Sequence, residues 1–308
     1  MSESSADQQR LGLRWAFASA IAAALMVIPW KLATEAGEPT IAVLLLLSVA
    51  ATANSVLAIF QGFAGKASGW GIRRIDVGVA ALLASFTLLG NHASALAAVE
   101  LSPAVLNVLL RTDILFVALL GALLLRERVD LLFWIGTAIA GIGLLVSQES
   151  GQGAGLSGFF SNGTGIAIVA AAAFSALTIV TRYFVHRINL VAVNAIRLWM
   201  AVALWFPLNR VPTWSEIPTD QILYATLAAL VGPFFARLCL MISARYLEAR
   251  VTTLVQLTAP ALTLAMAWML LGDWPSPREL IGGAIIIAGV AVPVFGFRGG
   301  AASGDAKT

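Results

Sequence analysis

Asn107, Arg111, Thr112 and Asp113 stand together in the middle of an apolar run, 102–125, with no loop close by. An Arg or Asp at the centre of a membrane-spanning helix costs about 2.5–3.5 kcal/mol to insert, so these side chains are expected to face protein or a water-filled cavity. Asn107 and Arg111 are four apart and share a helix face. On a continuous helix Asp113 points about 200° away from Arg111, so each needs another partner, and Arg197 and Arg237 are the candidates for Asp113. Two readings are open. In one, Asp113 and an Arg form a permanent buried ion pair that holds the chain together. In the other, Arg111 meets a carboxylate or other anionic group and Asp113 carries a proton or a cationic group. Three buried Arg against one buried Asp leave positive charge in the membrane, which favours a ligand with an acidic group.

Other apolar runs carry polar residues too. Arg197 follows Asn194 by three and shares its face, though it also lies near enough to the end of its run to snorkel. Arg237 follows Gly232-Pro233, a pair that can kink a helix and free carbonyls beside a cavity. Asn54 and Gln61 share one face of their run, next to Ser48, Thr52 and Ser55, whose hydroxyls suit helix packing. Thr252, Thr253 and Gln256 form a polar patch one turn before Pro260, which would break the hydrogen-bond ladder. The candidate substrate-binding set is therefore Asn54, Asn107, Arg111, Arg197, Arg237 and Gln256, with Asp113 for proton coupling. No catalytic residue, metal ligand or cofactor is expected. The lone Cys239 lies in an apolar run, His92 reads as a packing residue and His186 falls in a loop. No ATP-binding motif is present.

The elements that must hold these residues are set by composition. The chain has 308 residues, 59% hydrophobic and 11% charged, with mean hydropathy +0.89; soluble proteins carry about a quarter charged residues. Runs of about 20 apolar residues lie near 13–31, 40–63, 75–97, 102–125, 131–148, 163–182, 190–208, 221–244, 251–271 and 279–297, each long enough for a hydrocarbon core of about 30 Å. The fold class expected is all-α, a polytopic membrane protein of ten transmembrane helices. The first run resembles a signal peptide but is expected to stay as a helix, given the number of later spans. A basic chain of pI near 9.4 would suggest nucleic acid if it were soluble. Here thirteen of the 19 Lys and Arg fall in loops on one side, so they signal topology, with both termini cytoplasmic, and no nucleic-acid partner is expected.

The ten spans divide into two related fives. Residues 101–146 are echoed 146 positions later by 247–292: Leu124-Leu125 before Glu127 matches Leu270-Leu271 before Asp273, and Ile135-Gly136 and Gly143 match Ile281-Gly282 and Gly289. Five spans per half is odd, so the repeat is inverted, an arrangement that places a site between the halves and supports alternating access. The organisation expected is a cytoplasmic tail 1–12, a first repeat 13–148, an external Gly-rich linker 149–162, a second repeat 163–297 and a cytoplasmic tail 298–308. Within the linker, Gly153 to Gly158 fits GxGxxG but lacks the strand that motif needs, and Asn162-Gly163-Thr164 fits a glycosylation sequon, which means nothing if the source is bacterial. Gly136, Ala140, Gly141 and Gly143, with Gly282, Gly283, Ala284, Ala288 and Gly289, suit helix packing or a homodimer. Trp15, Trp30, Trp70, Trp134, Trp214 and Trp274 are expected at the interfaces; Trp199, Trp205 and Trp268 lie deeper.

Ten spans in two inverted fives, an acid after Leu-Leu at the ends of spans four and nine, Pro260 and Arg197 together resemble the drug/metabolite transporter superfamily, EamA-type branch, over roughly 14–297. The resemblance implies export or exchange of a small metabolite, often an amino acid or related compound, across the inner membrane, through a cavity formed largely by spans other than five and ten. The chain departs from that pattern in three places: Ile114 stands opposite Pro260, leucines surround Leu46 in span two where Arg is frequent, and Asp273 replaces the usual Glu. Arg111-Thr112-Asp113 also interrupts a span that such proteins keep apolar. The function expected is secondary transport of a small metabolite with an acidic group. A flippase for a lipid-linked intermediate is the nearest rival, and a membrane-embedded enzyme a more distant one, for want of convergent catalytic groups.

Overall fold

A computed structural model of the chain describes residues 3–63, 73–125, 131–147, 163–184, 187–188, 190–243, 246–247, 255–272 and 274–296. The expected linker 149–162, the acids Glu127 and Asp273, Thr252 and Thr253, Trp70, His186, the side chain of Gln61 and the C-terminal tail lie outside the described residues. The described chain is helical: α1 (Glu3–Glu35), α2 (Pro39–Phe63), α3 (Arg74–Glu100), α4 (Pro103–Leu110), α5 (Asp113–Leu125), α6 (Leu131–Ser147), α7 (Thr164–Phe184), α8 (Leu190–Trp205), α9 (Thr219–Ala229), a π segment (Leu230–Ala236), α10 (Arg237–Ser243), α11 (Ala259–Leu271) and α12 (Pro277–Gly296). Six helical stretches are long and apolar enough to cross a membrane, counting α4 together with α5, and α9 together with the π segment and α10; four shorter apolar helices accompany them. The chain is an all-helical, multi-pass membrane protein. Helix α1 begins inside the stretch expected as a tail.

Local chemistry sets the helix ends. Ser102 caps α4 by accepting from the Val105 amide, with Pro103 at the first helical position, where its missing N–H removes no bond. Gly272, within the Leu-Leu-Gly-Asp motif, ends α11 in the left-handed region at φ 67°, which a side chain would strain. Pro233 cannot donate to the helix ladder, and the π segment around it absorbs that defect.

In lipid, helices gain little from hiding apolar surface and associate instead through close fit of small residues. Helix α1 is the centre of the bundle: Ala16, Ala20 and Ala24, four apart, are fully buried, and α1 packs on α9, the π segment, α10 and α11. The packing partners exchange between halves. Helix α3 lies on α7 and α8, just as α9 and its continuation lie on α1 and α2; α5 lies on α7 as α11 lies on α1.

The closest pairing is α6 with α12. A Cβ on Gly289 would sit 2.5 Å from the Ala140 amide nitrogen and 2.6 Å from the Gly136 carbonyl, and one on Gly143 would meet the Ile286 nitrogen at 2.7 Å and the Gly282 carbonyl at 2.8 Å. These small residues are used inside the chain, so a homodimer through the same faces would have to displace that packing. Gly289→Val is expected to destabilise by about 1–3 kcal/mol or more, because it overpacks against backbone that cannot yield. Gly141→Val, where an added Cβ meets nothing within 4 Å, is the control, and thermal unfolding in detergent compares the two.

One end of the bundle is tied across the halves. Gln221 is fully buried and its amide nitrogen donates to the Ala33 carbonyl at 3.0 Å and the Glu38 carbonyl at 2.9 Å. The Trp205 indole donates to the Thr40 carbonyl at 2.8 Å, and His92 meets Asn209 at 3.3 Å. Lys31 reaches the Ala98 and Leu101 carbonyls and pairs with Glu35 at 2.9 Å. Trp30, expected at the interface, is instead buried and donates to Ser94 at 3.2 Å, because the small residues around it let α1 and α3 approach. Trp268, expected deep, is exposed and meets Trp274 edge to face. Trp134 and Trp214 are exposed, as interfacial anchors would be.

Candidate functional site

The helix expected over 102–125 is broken at Arg111 and Thr112. The Thr112 hydroxyl donates to the Leu109 carbonyl at 2.7 Å, and the amides of Arg111 and Thr112 turn to acceptors three residues back, at Val108 and Leu109. The break alters the angle that a continuous helix would impose, and it brings Arg111 and Asp113 into electrostatic contact. The cation acting on Asp113 is thus Arg111, not Arg197 or Arg237. The pair does not close to a direct salt bridge. The Ile114 amide donates to the Arg111 carbonyl at 3.3 Å, and Asp113 Oδ1 is buried without a partner. Ser175 holds the segment by donating to the Asp113 carbonyl at 2.8 Å, with the Ala171 carbonyl at 2.7 Å as its alternative acceptor.

Asn107 positions Arg111. Its Oδ1 accepts from Arg111 Nε at 3.4 Å and from the terminal NH2 at 3.3 Å, and its Nδ2 donates to Thr263 Oγ1 at 2.5 Å. Thr263 in turn reaches the Ala259 carbonyl at 3.0 Å and the Ala24 carbonyl at 3.3 Å. Asn107, 1% exposed, therefore joins α4 to α11 and α1 and leaves Arg111 half-buried.

A second cluster forms around Arg197. Its terminal NH2 donates to Asn194 Oδ1 at 2.7 Å; Asn194 Nδ2 donates to Asn54 Oδ1 at 3.2 Å; Asn54 Nδ2 donates to the Ala50 carbonyl at 2.8 Å. The Arg197 Nε is buried without a partner, and the like charge of Arg237 acts on it from the start of α10. Gln256 lies behind this cluster. Its amide nitrogen donates to Ser19 at 3.0 Å, and Ser19 donates at 2.9 Å to the carbonyl of Ala236, the residue before Arg237.

The candidates thus fall into two groups, Asn107–Arg111–Asp113 and Asn54–Asn194–Arg197, with Arg237 exposed at the start of α10 and Gln256 buried and committed to Ser19. Residues 161–295 match the model of the EamA-like transporter family. That match covers the second half of the chain, which is similar to the family. Among the chain's relatives is an uncharacterized transporter, YdfC, of Bacillus subtilis, 26% identical over 202 residues and 61% of each chain. Another is a probable amino-acid metabolite efflux pump of Salmonella typhimurium, 29% identical over 62% of this chain and 67% of that one. The alignment thus spans less than two thirds of the Bacillus relative. A solved crystal structure with 20% identity superposes with a TM-score of 0.60 over 95% of this chain and 98% of that one, which shows a shared fold.

The second half repeats the helix break. Leu257 and Thr258 form the turn before α11, 146 positions after Arg111 and Thr112. The Thr258 hydroxyl donates to the Val255 carbonyl at 2.6 Å and its amide to the same carbonyl at 3.1 Å, the counterparts of the Thr112 bonds. The first half breaks with Ile114 in the place equivalent to Pro260, so a proline is not needed for the break. The signal shared by both halves is the threonine. Ser19, Asn194, Ser175 and Thr263 join the site without belonging to the expected set. Asn194 is traceable in sequence through its spacing from Arg197, whereas the other three are ordinary hydroxyls whose partners lie on distant helices.

Proposed function

We propose that the chain is a secondary transporter that moves a small metabolite with an acidic group across a bacterial inner membrane by alternating access, working as an exporter or exchanger. The observation that carries this reading is the pair of helix breaks at repeat-equivalent positions, closed by the same threonine bonds. Broken helices that face one another from inverted repeats characteristically frame a substrate site near the bilayer midplane. The exchange of packing partners between the halves supports ten spans arranged as five plus five, in two repeats, 13–148 and 163–297. The distribution of basic residues supports cytoplasmic termini. In this reading Arg111, Arg197 and Arg237 attract the acidic group, and Asp113, with one oxygen unpartnered, carries the coupled proton. The test is counterflow in proteoliposomes loaded with small organic acids and amino acids: labelled substrate should accumulate in loaded vesicles and not in empty ones. Absence of counterflow across the whole panel overturns the reading.

One feature favours the flippase reading. A lateral cavity of about 170 Å³ lies between α4, α11 and α12, lined by Val105, Val108, Pro260, Leu264 and Ile287 among other apolar residues. It suits an acyl chain and offers no charged group to a head group. Translocation of a fluorescent lipid-linked analogue in the same vesicles, without counterflow of soluble acids, would select this reading.

A further inference from the structure

We propose that each half of the chain seats one acyl chain of a bilayer phospholipid in a lateral cavity between its helices. This concerns the lipid around the protein and holds whatever the transported substrate is.

Two cavities of nearly equal size lead there. The first, between α4, α11 and α12, measures about 170 Å³; a second, of about 180 Å³, lies between α5, α6 and α7. Their walls correspond. Leu115, Thr137, Ala140 and Gly141 line the second, and Ala261, Gly283, Ile286 and Ile287, each 146 positions later, line the first. The residue types differ at all four places, so the same space is left by different side chains. In each half it parts helices that follow one another in sequence: among the described residues α5 meets α6 only at its margin, and α11 packs no more closely on α12.

Each half opens its cavity with a glycine of its own. A Cβ on Gly141 would meet nothing within 4 Å, and one on Gly283 would meet only the Val108 methyls, at 3.5 and 3.8 Å. Gly143 and Gly289 are required by backbone pressed against them; these two are not. Glycine inside a helix is less favourable than alanine, so the helices give up stability to leave this room.

The occupant follows from what reaches the mouths. Among the described lining residues the polar ones are Thr112, whose hydroxyl is spent on the Leu109 carbonyl, and Thr137, which also has a partner. Water needs at least two polar partners and stays out of an apolar cavity. Left empty, the walls forfeit dispersion contacts. Both mouths are continuous with the surface that meets the bilayer: Ala261 and Ala284 are exposed at the first, and Ala138 and Ile142 flank the second in exposed positions. An apolar cavity of about 150 Å³ accepts a benzene ring, so each of these has room for the end of one hydrocarbon chain, which is what the membrane core supplies. Each chain then backs the segment at a helix break, at Thr112 in one half and Pro260 in the other.

The test uses the full-length protein in vesicles of phosphatidylethanolamine and phosphatidylglycerol. A trace of the phosphatidylglycerol carries a photoreactive diazirine near the end of one acyl chain, and labelled residues are mapped after irradiation. Label is expected at Val108 and Ile287 in the first cavity and at Phe116 and Thr137 in the second. Gly283→Leu is expected to lower the first pair at least about fivefold and leave the second unchanged, because the new side chain fills the space. Gly141→Ile, which supplies the residue that the other half carries in that place, does the converse. Ala261→Leu, again the residue of the other half, is a second plug for the first cavity. Retained label in the opposite cavity shows that a loss is not misfolding, and Leu89, exposed on α3, gauges contact with the surrounding lipid. Label that the plugs leave unchanged, or that is confined to positions such as Leu89, means ordinary contact with surrounding lipid and overturns the proposal. So does labelling by a free fatty acid bearing the same diazirine when the phospholipid gives none. None of these measurements reads transport, so their failure leaves the counterflow test to decide the transporter reading by itself.

Discussion

Arg111→Ala is expected to destabilise the protein by about 3–5 kcal/mol and to stop transport, because it leaves the Asp113 carboxylate without its cation. The loss of stability alone would not separate a structural pair from a working one. The double replacement Arg111→Met with Asp113→Leu does. Apolar residues of similar size remove both charges, and buried ion pairs replaced in this way are often neutral in stability or better. Thermal unfolding of the double variant is therefore expected to return close to wild type while counterflow stays absent. If transport returned with stability, the pair would be structural and the proton-coupling role of Asp113 would fall. Asp113→Asn adds a third reading. It keeps the shape of the side chain but cannot carry a proton, so counterflow should persist while accumulation driven by a pH gradient is lost.

Gln221→Ala is expected to open the end of the bundle where the halves are tied. Its amide is the shared donor to the Ala33 and Glu38 carbonyls, and truncation leaves two acceptors to find water. A buried polar group left unpaired costs about 1–3 kcal/mol, enough to move a two-state equilibrium several-fold towards the state in which that end is wet. Ala33, fully buried beside Gln221, reports the change. A cysteine placed there in a Cys239→Ser background should react with a polar maleimide several times faster in the Gln221→Ala protein. An unchanged rate would mean that these bonds brace the fold without gating it.

Much of this architecture can be read from the residues, and the reasons for the exceptions are physical. Apolar runs of membrane length are a strong signal, so the helices lie where hydropathy places them. Gly232-Pro233 announces a defect in its helix, and the defect is there, as a π segment. A steady 100° per residue across 102–125 misplaces Asp113, because Thr112 turns its hydroxyl onto the preceding turn and the helix parts. Threonine in a helix usually does no such thing, so its type alone carries little warning. The link from Arg197 through Asn194 to Asn54 depends on how α8 is set against α2, and spacing along one helix cannot report it. Gln256 reads as a ligand because amides in lipid are rare, yet its partner, Ser19, sits 237 positions away.

The contact of α6 with α12 bears on how such a molecule could move. Most helix pairs meet through a layer of side chains, which can change rotamer and let one helix shear over the other. At Gly143 and Gly289 that layer is missing, and amides and carbonyls of one helix lie directly against the other. Each ridge is locked in a groove of peptide atoms that have no rotamers to change. These two helices therefore behave as a keel. In the transporter reading, rocking of the halves turns about it, and the break at Thr112 lies beside it, against Thr137, Ala140 and Gly141.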